Sequence, residues 1–176
     1  MKTRTCAMLI LAAIPLMGFS CFTDPFTVAL NLKPFTGTYP MSSGNNPNYS
    51  GFFTVNPDTL YDMGSYTLVG ASVYDIRIGT AGPAGTDLGT CSGTVTVNGT
   101  LLLTYNGPWT AFYTPQSLIT SQYIRKNQPG IDVLINAVTK GQLITFAIQG
   151  SITKIPVPSG CSLICSAYVQ AYGQPN

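Results

Sequence analysis

The sequence has no histidine and no glutamate, and both absences narrow the chemistry that it can carry. Without histidine, the Ser-His-Asp arrangement and the general base that enzymes use most often are excluded. A zinc site would have to rely on cysteines, and their spacing shows no paired C-x-x-C motif. We therefore predict no metal and no cofactor, and we expect that the chain is not an enzyme.

Charge is also scarce, at 8% of residues, whereas 45% are hydrophobic. A disordered chain would be less hydrophobic and more highly charged. A nucleic-acid-binding domain would need a basic patch, which this sequence lacks. After the first twenty residues no apolar run reaches the length of about 20 residues that a membrane-spanning helix needs. We expect neither a nucleic-acid partner nor a transmembrane segment.

The first twenty residues have the pattern of a secretory signal peptide. Lys2 and Arg4 precede an apolar run over residues 6–17, and Ser20 is a small residue before a cleavage point. Removal of this segment would leave equal numbers of basic and acidic residues. We therefore expect residues 21–176 to form a single secreted domain without net charge.

Cysteine usage agrees with export. After signal removal four cysteines remain, an even number that predicts two disulfide bonds with three possible pairings: Cys21, Cys91, Cys161 and Cys165. We favour bonds from the last two cysteines to Cys21 and Cys91, because long loops constrain the unfolded chain most. Alternatively Cys21 is the lipidated cysteine of an envelope protein, although Gly18 stands where such signals have leucine.

Short alternating or β-branched runs indicate a β-rich domain. Strands are predicted at residues 26–32, 51–55, 73–78, 109–113, 131–138 and 143–152, with an edge strand at 166–172. Asn98-Gly99 predicts a hairpin over residues 93–105, because both turn residues tolerate positive φ. Residues 34–48 are interpreted as a polar loop. Thr114-Pro115 predicts the start of a helix that runs to Lys126 and is stopped by Pro129-Gly130.

Several segments resemble, in order, the motifs of chordin-type (CHRD) domains. They are residues 51–60 (GFFTVNPDTL), 75–82 (DIRIGTAG), 114–118 (TPQSL), 135–139 (INAVT) and 146–150 (FAIQG). The histidines typical of the family are replaced here by Asp75, Arg77 and Val138. Any family role that needs imidazole is therefore absent.

Many short strands with close turns predict an antiparallel sandwich or barrel with one short helix. The resemblance implies an all-β, antiparallel Greek-key β-sandwich with an immunoglobulin-like outline. It also implies an extracellular module that binds another protein at the matrix or cell surface. A carbohydrate or cell-wall binding module is the alternative.

Two groups of residues are candidates for a binding surface. Asp75 and Arg77 fall on one face of the strand predicted at 73–78, opposite Tyr74, Ile76 and Ile78, either as a contact surface or as a solvated ion pair. We favour the ion pair.

The second candidate is an aromatic platform for a sugar ring, built from Trp109, Phe112 and Tyr113. Large aromatic side chains are more often core residues, and we favour that interpretation for Trp109 and Phe112.

Asn48 and Asn98 begin Asn-X-Ser/Thr sequences and are candidate glycosylation sites in an exported chain. Asp58 and Asp62 are the closest pair of carboxylates, but they lie in or beside a turn, where aspartate is a common turn former. No EF-hand pattern surrounds them.

Overall fold

The structure is a computed structural model that describes residues 27–57 and 66–175, and only the backbone of Asn31. These residues form two antiparallel sheets that pack as a β-sandwich, together with one α-helix. The expected all-β sandwich is confirmed at this level. The strands are β1 (Val28–Asn31), β2 (Phe35–Pro40), β3 (Asn48–Val55), β4 (Tyr66–Ala81), β5 (Thr90–Val97), β6 (Thr100–Pro108), β7 (Gln116–Ser117), β8 (Ile124–Lys126), β9 (Ile144–Ile152) and β10 (Ser162–Pro175), and the helix is α1 (Gln128–Thr139).

The first sheet is organised around β10, which pairs with β1 and β2 along one side and with β4 along the other; β7 extends the sheet beyond β4. The prediction of an edge strand at 166–172 is wrong, because β10 is central. Every second residue of this strand points into the core, namely Leu163, Cys165, Ala167, Val169 and Ala171. Most of these side chains are small, so the sequence lacks the alternation of large hydrophobic residues that would predict a buried strand.

The second sheet has the strand order β3-β9-β5-β6-β8. Its central hairpin is confirmed: β5 and β6 are joined by Asn98 and Gly99, with φ values of 46° and 81°. The predicted strand at 143–152 is confirmed as β9. Ile144, Phe146 and Ile148 all lie in the core, as their spacing predicts.

The two sheets meet where β2 passes β3. The ring of Phe53 occupies the space above Gly37, and the ring of Tyr39 lies 2.6 Å from where a Cβ of Gly51 would stand. Residues 34–48 were predicted to be a loop, and this is wrong at β2. Its inward residues are Phe35, Gly37 and Tyr39, and the glycine interrupts the hydrophobic alternation that would reveal a strand.

Helix α1 occupies residues for which the sequence predicted a stop signal and a strand. Pro129 lies in the first turn of the helix, where its missing N–H removes no hydrogen bond. Gly130 lets the helix touch β6, since a Cβ there would overlap the backbone of Leu101 and Leu102. Ile131 and Leu134 lie on the buried face of the helix. The apolar residues that predict a strand therefore also fit the periodicity of a helix.

The helix predicted over residues 115–126 is wrong. The segment contains β7, a turn and β8. Gln116 donates hydrogen bonds from Nε2 to the carbonyl oxygens of Ala111 and Thr114, at 2.8 and 3.0 Å. A side chain thus satisfies the Thr114 carbonyl, which the predicted helix would have used. Residues 109–113, predicted as a strand, form a 3-10 helix (Trp109–Tyr113).

A β-bulge interrupts β4 at Tyr74. Asp75 pairs with Tyr168 and Val73 with Val169, so Tyr74 is an extra residue without an opposite partner. Val73 therefore lies on the same face as Ile76 and Ile78, whereas Tyr74 is 48% exposed. The prediction that Tyr74 shares the face of the two isoleucines is wrong, because strict alternation does not hold across a bulge.

Candidate functional site

Asp75 and Arg77 lie next to the bulge on the outer face of the first sheet and form an ion pair. Arg77 Nε donates to Asp75 Oδ2 at 2.7 Å, and Ser117 Oγ donates to Asp75 Oδ1 at 2.7 Å. The Asp75 side chain is only 7% exposed, whereas that of Arg77 is 46% exposed. The expectation that the ion pair is solvated is therefore wrong for the Asp75 carboxylate. β7 pairs with β4 at Arg77 and Ser117 and covers Asp75.

The arginine lies over an aromatic ring. Its guanidinium carbon lies 4.8 Å from the centroid of the Tyr168 ring, and the rings of Tyr168 and Tyr74 are 5.9 Å apart. The hydrogen bond to Asp75 raises the pKa of the Arg77 guanidinium above its ordinary value. The arginine is thus held in place by a carboxylate and by the face of a tyrosine ring.

A groove opens beside this ion pair, between β4, the turn that follows β7, and α1. We call it the β4–α1 groove. Its volume is about 580 Å³, which lies within the range of about 300–1,000 Å³ that is common for binding sites. Ile119 at its rim is 71% exposed. Its apolar lining comes from Val73, Leu118, Ile119, Ile124, Ile131 and Ile135, and polar groups come from Ser72, Tyr74, Asp75, Lys126 and Gln128.

The predicted aromatic platform is not on the surface. Trp109 and Phe112 are fully buried, and Tyr113 is 40% exposed. The Tyr113 ring stands edge-on to Trp109 at 6.5 Å, and its hydroxyl donates to the Thr86 carbonyl. None of these three residues lines the β4–α1 groove. Trp109 and Phe112 are core residues, so a ligand could not stack on them.

The three described cysteines, Cys91, Cys161 and Cys165, are free thiols buried in the core. The predicted disulfide bonds among them are therefore absent, and Cys21 lies outside the described residues. Cys161 and Cys165 are separated by about 13 Å of extended chain, beyond the reach of a disulfide. Cys91 and Cys165 belong to different sheets. Burial raises the pKa of Cys91 to about 11 and that of Cys165 to about 12, which disfavours the reactive thiolate.

A hydrogen-bonded tyrosine pair in the core was not predicted from the sequence. Tyr49 and Tyr105 flank two glycines in one row across the second sheet, Tyr49–Gly150–Gly93–Tyr105. Their hydroxyl oxygens are 2.6 Å apart above the glycines, and the Tyr49 hydroxyl lies 3.3 Å from Cys91 Sγ. Glycines inside two predicted strands were the available signal, since they mark positions where another group approaches the backbone.

Comparisons with known proteins do not identify the chain. No family model matches it, and no curated protein matches it. Among solved structures, it is similar to a chain of Desmodium yellow mottle tymovirus, with 10% identity over 88% of this chain and 84% of that chain and a TM-score of 0.36. A chain of turnip yellow mosaic virus is 12% identical over 87% of this chain and 96% of that chain, with a TM-score of 0.34. Likeness at this level supports no argument about function.

The candidate glycosylation sites differ in their surroundings. Asn98 sits in the hairpin turn, where its Oδ1 accepts from Thr145 N at 2.8 Å and its Nδ2 contacts the Leu143 carbonyl at 3.4 Å. Asn48 is exposed at the start of β3. The side chain of Asn98 is therefore engaged in holding the turn.

The carboxylates Asp58 and Asp62 fall outside the described residues, as does the predicted signal peptide. Within residues 27–57 and 66–175, no cluster of three or more metal-ligating His, Cys, Asp or Glu side chains is found. No helix in this part of the chain has the length and the apolar character needed to span a membrane.

Proposed function

We propose that the chain is a secreted, non-enzymatic domain that binds an extracellular protein through the β4–α1 groove. The observation that carries this proposal is the apolar groove itself, with Ile119 and Tyr74 exposed at its rim. Burial of such side chains against a partner is favourable by about 25 cal/mol per Å² of apolar surface. Exposed aromatic residues such as Tyr74 are enriched in protein interfaces relative to the rest of the surface.

The polar groups beside the groove favour binding over catalysis. The Asp75 side chain is only 7% exposed and is held by Arg77 and Ser117, whereas a general base has to come within hydrogen-bond distance of the proton that it removes from a substrate. Lys126 provides a charged group near the apolar lining. Fixed charges beside an apolar surface select the orientation of a protein partner.

The motif order that resembles chordin-type domains supports an extracellular role, because the family consists of extracellular modules. Greek-key connections and an immunoglobulin-like outline belong to the same proposal. Export predicts an intact mass that begins at Cys21 for protein recovered from the medium of its own host. Acyl chains on Cys21 would instead indicate the lipid-anchored alternative.

Site-specific photo-cross-linking tests the groove. We would place a benzophenone amino acid at Ile119 and, as a control, at Leu143, which is 59% exposed in the turn between α1 and β9. With the extracellular fraction of the host, we expect a discrete cross-linked protein from position 119 that is lost when Tyr74→Ala is added. Equal products from both positions, or none from position 119, would contradict the proposal.

A further inference from the structure

A second surface lies on the outer face of the second sheet, across β3, β9 and β5. Two adjoining depressions of about 550 and 310 Å³ lie along it and share Ser50 and Gln149. The strand register places the outward side chains in rows, of which the two central ones are Ser50–Gln149–Thr94 and Phe52–Ala147–Thr96. We call this surface the polar face.

The polar face carries hydroxyl and amide groups but no charge. None of the described residues that line either depression is an aspartate, lysine or arginine. Hydroxyls and amides both donate and accept hydrogen bonds, so they match a ligand that presents many hydroxyl groups. Phosphates, nucleic acids and acidic sugars need cationic partners, and neither depression is lined by one; Arg125, at the far end of the Thr94 row, lies two strands away.

Two further observations point to a ligand here. Phe52, on the edge strand β3, is 74% exposed and lines one of the depressions, where its ring can cover the apolar side of a sugar. Ser50 and Gln149, in the adjacent row, are exposed and can hydrogen-bond the hydroxyl groups of the same sugar.

We propose that the polar face binds a neutral polysaccharide chain, stacked on Phe52 and hydrogen-bonded by Ser50 and Gln149. This site is separate from the β4–α1 groove and independent of the protein partner proposed there. Asn48 lines one end of the same surface. A glycan attached to Asn48 would stand over the polar face and block it.

The test uses the full chain without N-glycans, titrated calorimetrically with cellohexaose, xylohexaose, mannohexaose, laminarihexaose and chitohexaose. We expect at least one to bind with a Kd below about 1 mM. Phe52→Ala should weaken that binding about tenfold, because the stacked ring is lost. Gln149→Ala, which removes an exposed amide that lines both depressions, should also weaken it. Tyr74→Ala, an exposed tyrosine on the other sheet, should leave it unchanged.

Three results would overturn the proposal. The first is that no hexasaccharide binds the folded protein, as checked by circular dichroism. The second is binding that Tyr74→Ala weakens as much as Phe52→Ala. The third is tighter binding of polygalacturonate than of any neutral sugar, since an acidic ligand contradicts a surface without cations. Loss of the groove cross-link would not affect any of these outcomes.

Discussion

The inward faces of the two sheets fill the same core in different ways. On the first sheet, β10 contributes small or aliphatic side chains, and Ile76 and Ile78 lie beside them on β4. On the second sheet, a pair of glycines lies beneath two tyrosine rings whose hydroxyls meet at 2.6 Å. The buried row of β10 can be repacked with side chains of similar volume, whereas the row between Tyr49 and Tyr105 requires glycine at both Gly93 and Gly150.

The hydrogen-bonded tyrosine hydroxyls also fix the strand register, which apolar packing alone leaves free. The Tyr49 hydroxyl contacts the Tyr105 hydroxyl and donates to the Ser92 carbonyl at 3.0 Å. A shift of β3, which carries Tyr49, or of β6, which carries Tyr105, by one residue would break these contacts and bury unpaired hydroxyls. We infer that the second sheet is more strictly specified in register than the first, and three predictions test the contrast.

The largest effect is expected from the glycines. In Gly150→Ala the new Cβ would overlap the Ser92 carbonyl oxygen and meet the Tyr49 hydroxyl, so we expect a loss of about 3 kcal/mol of unfolding free energy. Gly70→Ala on the first sheet is the matched control, because its Cβ would lie 3.7 Å from the nearest atom, in the Tyr172 ring. Urea unfolding measures both, and equal losses would contradict the contrast.

Alkaline pH should produce the next largest effect. Burial raises the pKa of Cys91 from 9.0 to about 11 and also raises the pKa values of Tyr49 and Tyr105. Above pH 9 the unfolded thiol loses its proton while the folded one keeps it, so stability falls as pH rises. By pH 11 Cys91 alone should account for about 2 kcal/mol of this loss.

The matched variants are Cys91→Ala, which should reduce the decline without abolishing it because burial also raises the pKa of Cys165 to about 12, and Lys154→Gln at an exposed ion pair, which should follow the wild-type profile. Thermal unfolding between pH 8 and 11 is the measurement. A wild-type melting temperature that stays constant over this range would refute the expectation.

The smallest effect distinguishes paired from unpaired hydroxyls. Tyr105→Phe removes a hydroxyl that is bonded to Tyr49, and we expect a loss of about 1 kcal/mol. Tyr39→Phe removes a buried hydroxyl without a partner among the described residues, so stability should be unchanged or slightly higher. The difference between the two variants in chemical denaturation is the readout, and the reverse order would show that the hydroxyl pair does not stabilise the sheet.

Local chemistry made part of the fold predictable. Asn98-Gly99 indicated the hairpin because its turn type depends only on those two residues. The prediction that Pro129-Gly130 stops a helix is wrong, because this pair lies in the first turn of α1. Proline and glycine occur at either end of a helix, and only the contact of Gly130 with β6 shows which end is present. The central place of β10 depends on pairings with distant strands, which no local pattern contains.

In the candidate site, too, some features follow from local sequence and others depend on distant strands. Alternation along β4 was enough to put Asp75 and Arg77 on one face, because their spacing of two residues is local. Ser117, which hydrogen-bonds Asp75, and Tyr168, which stacks on Arg77, come from distant strands. The bulge at Tyr74 is visible only from the register with β10. The β4–α1 groove could not be predicted because its helix was assigned elsewhere.

The position of β10 in the chain also has a consequence for biosynthesis. All pairings of the second sheet involve residues up to Ile152, so they are available before β10 leaves the ribosome. In the first sheet, β1, β2 and β4 have no strand between them until β10 emerges. Their edges stay unpaired until then, and unpaired strand edges are prone to aggregation, which makes this half of the molecule the one that chaperones would have to shield.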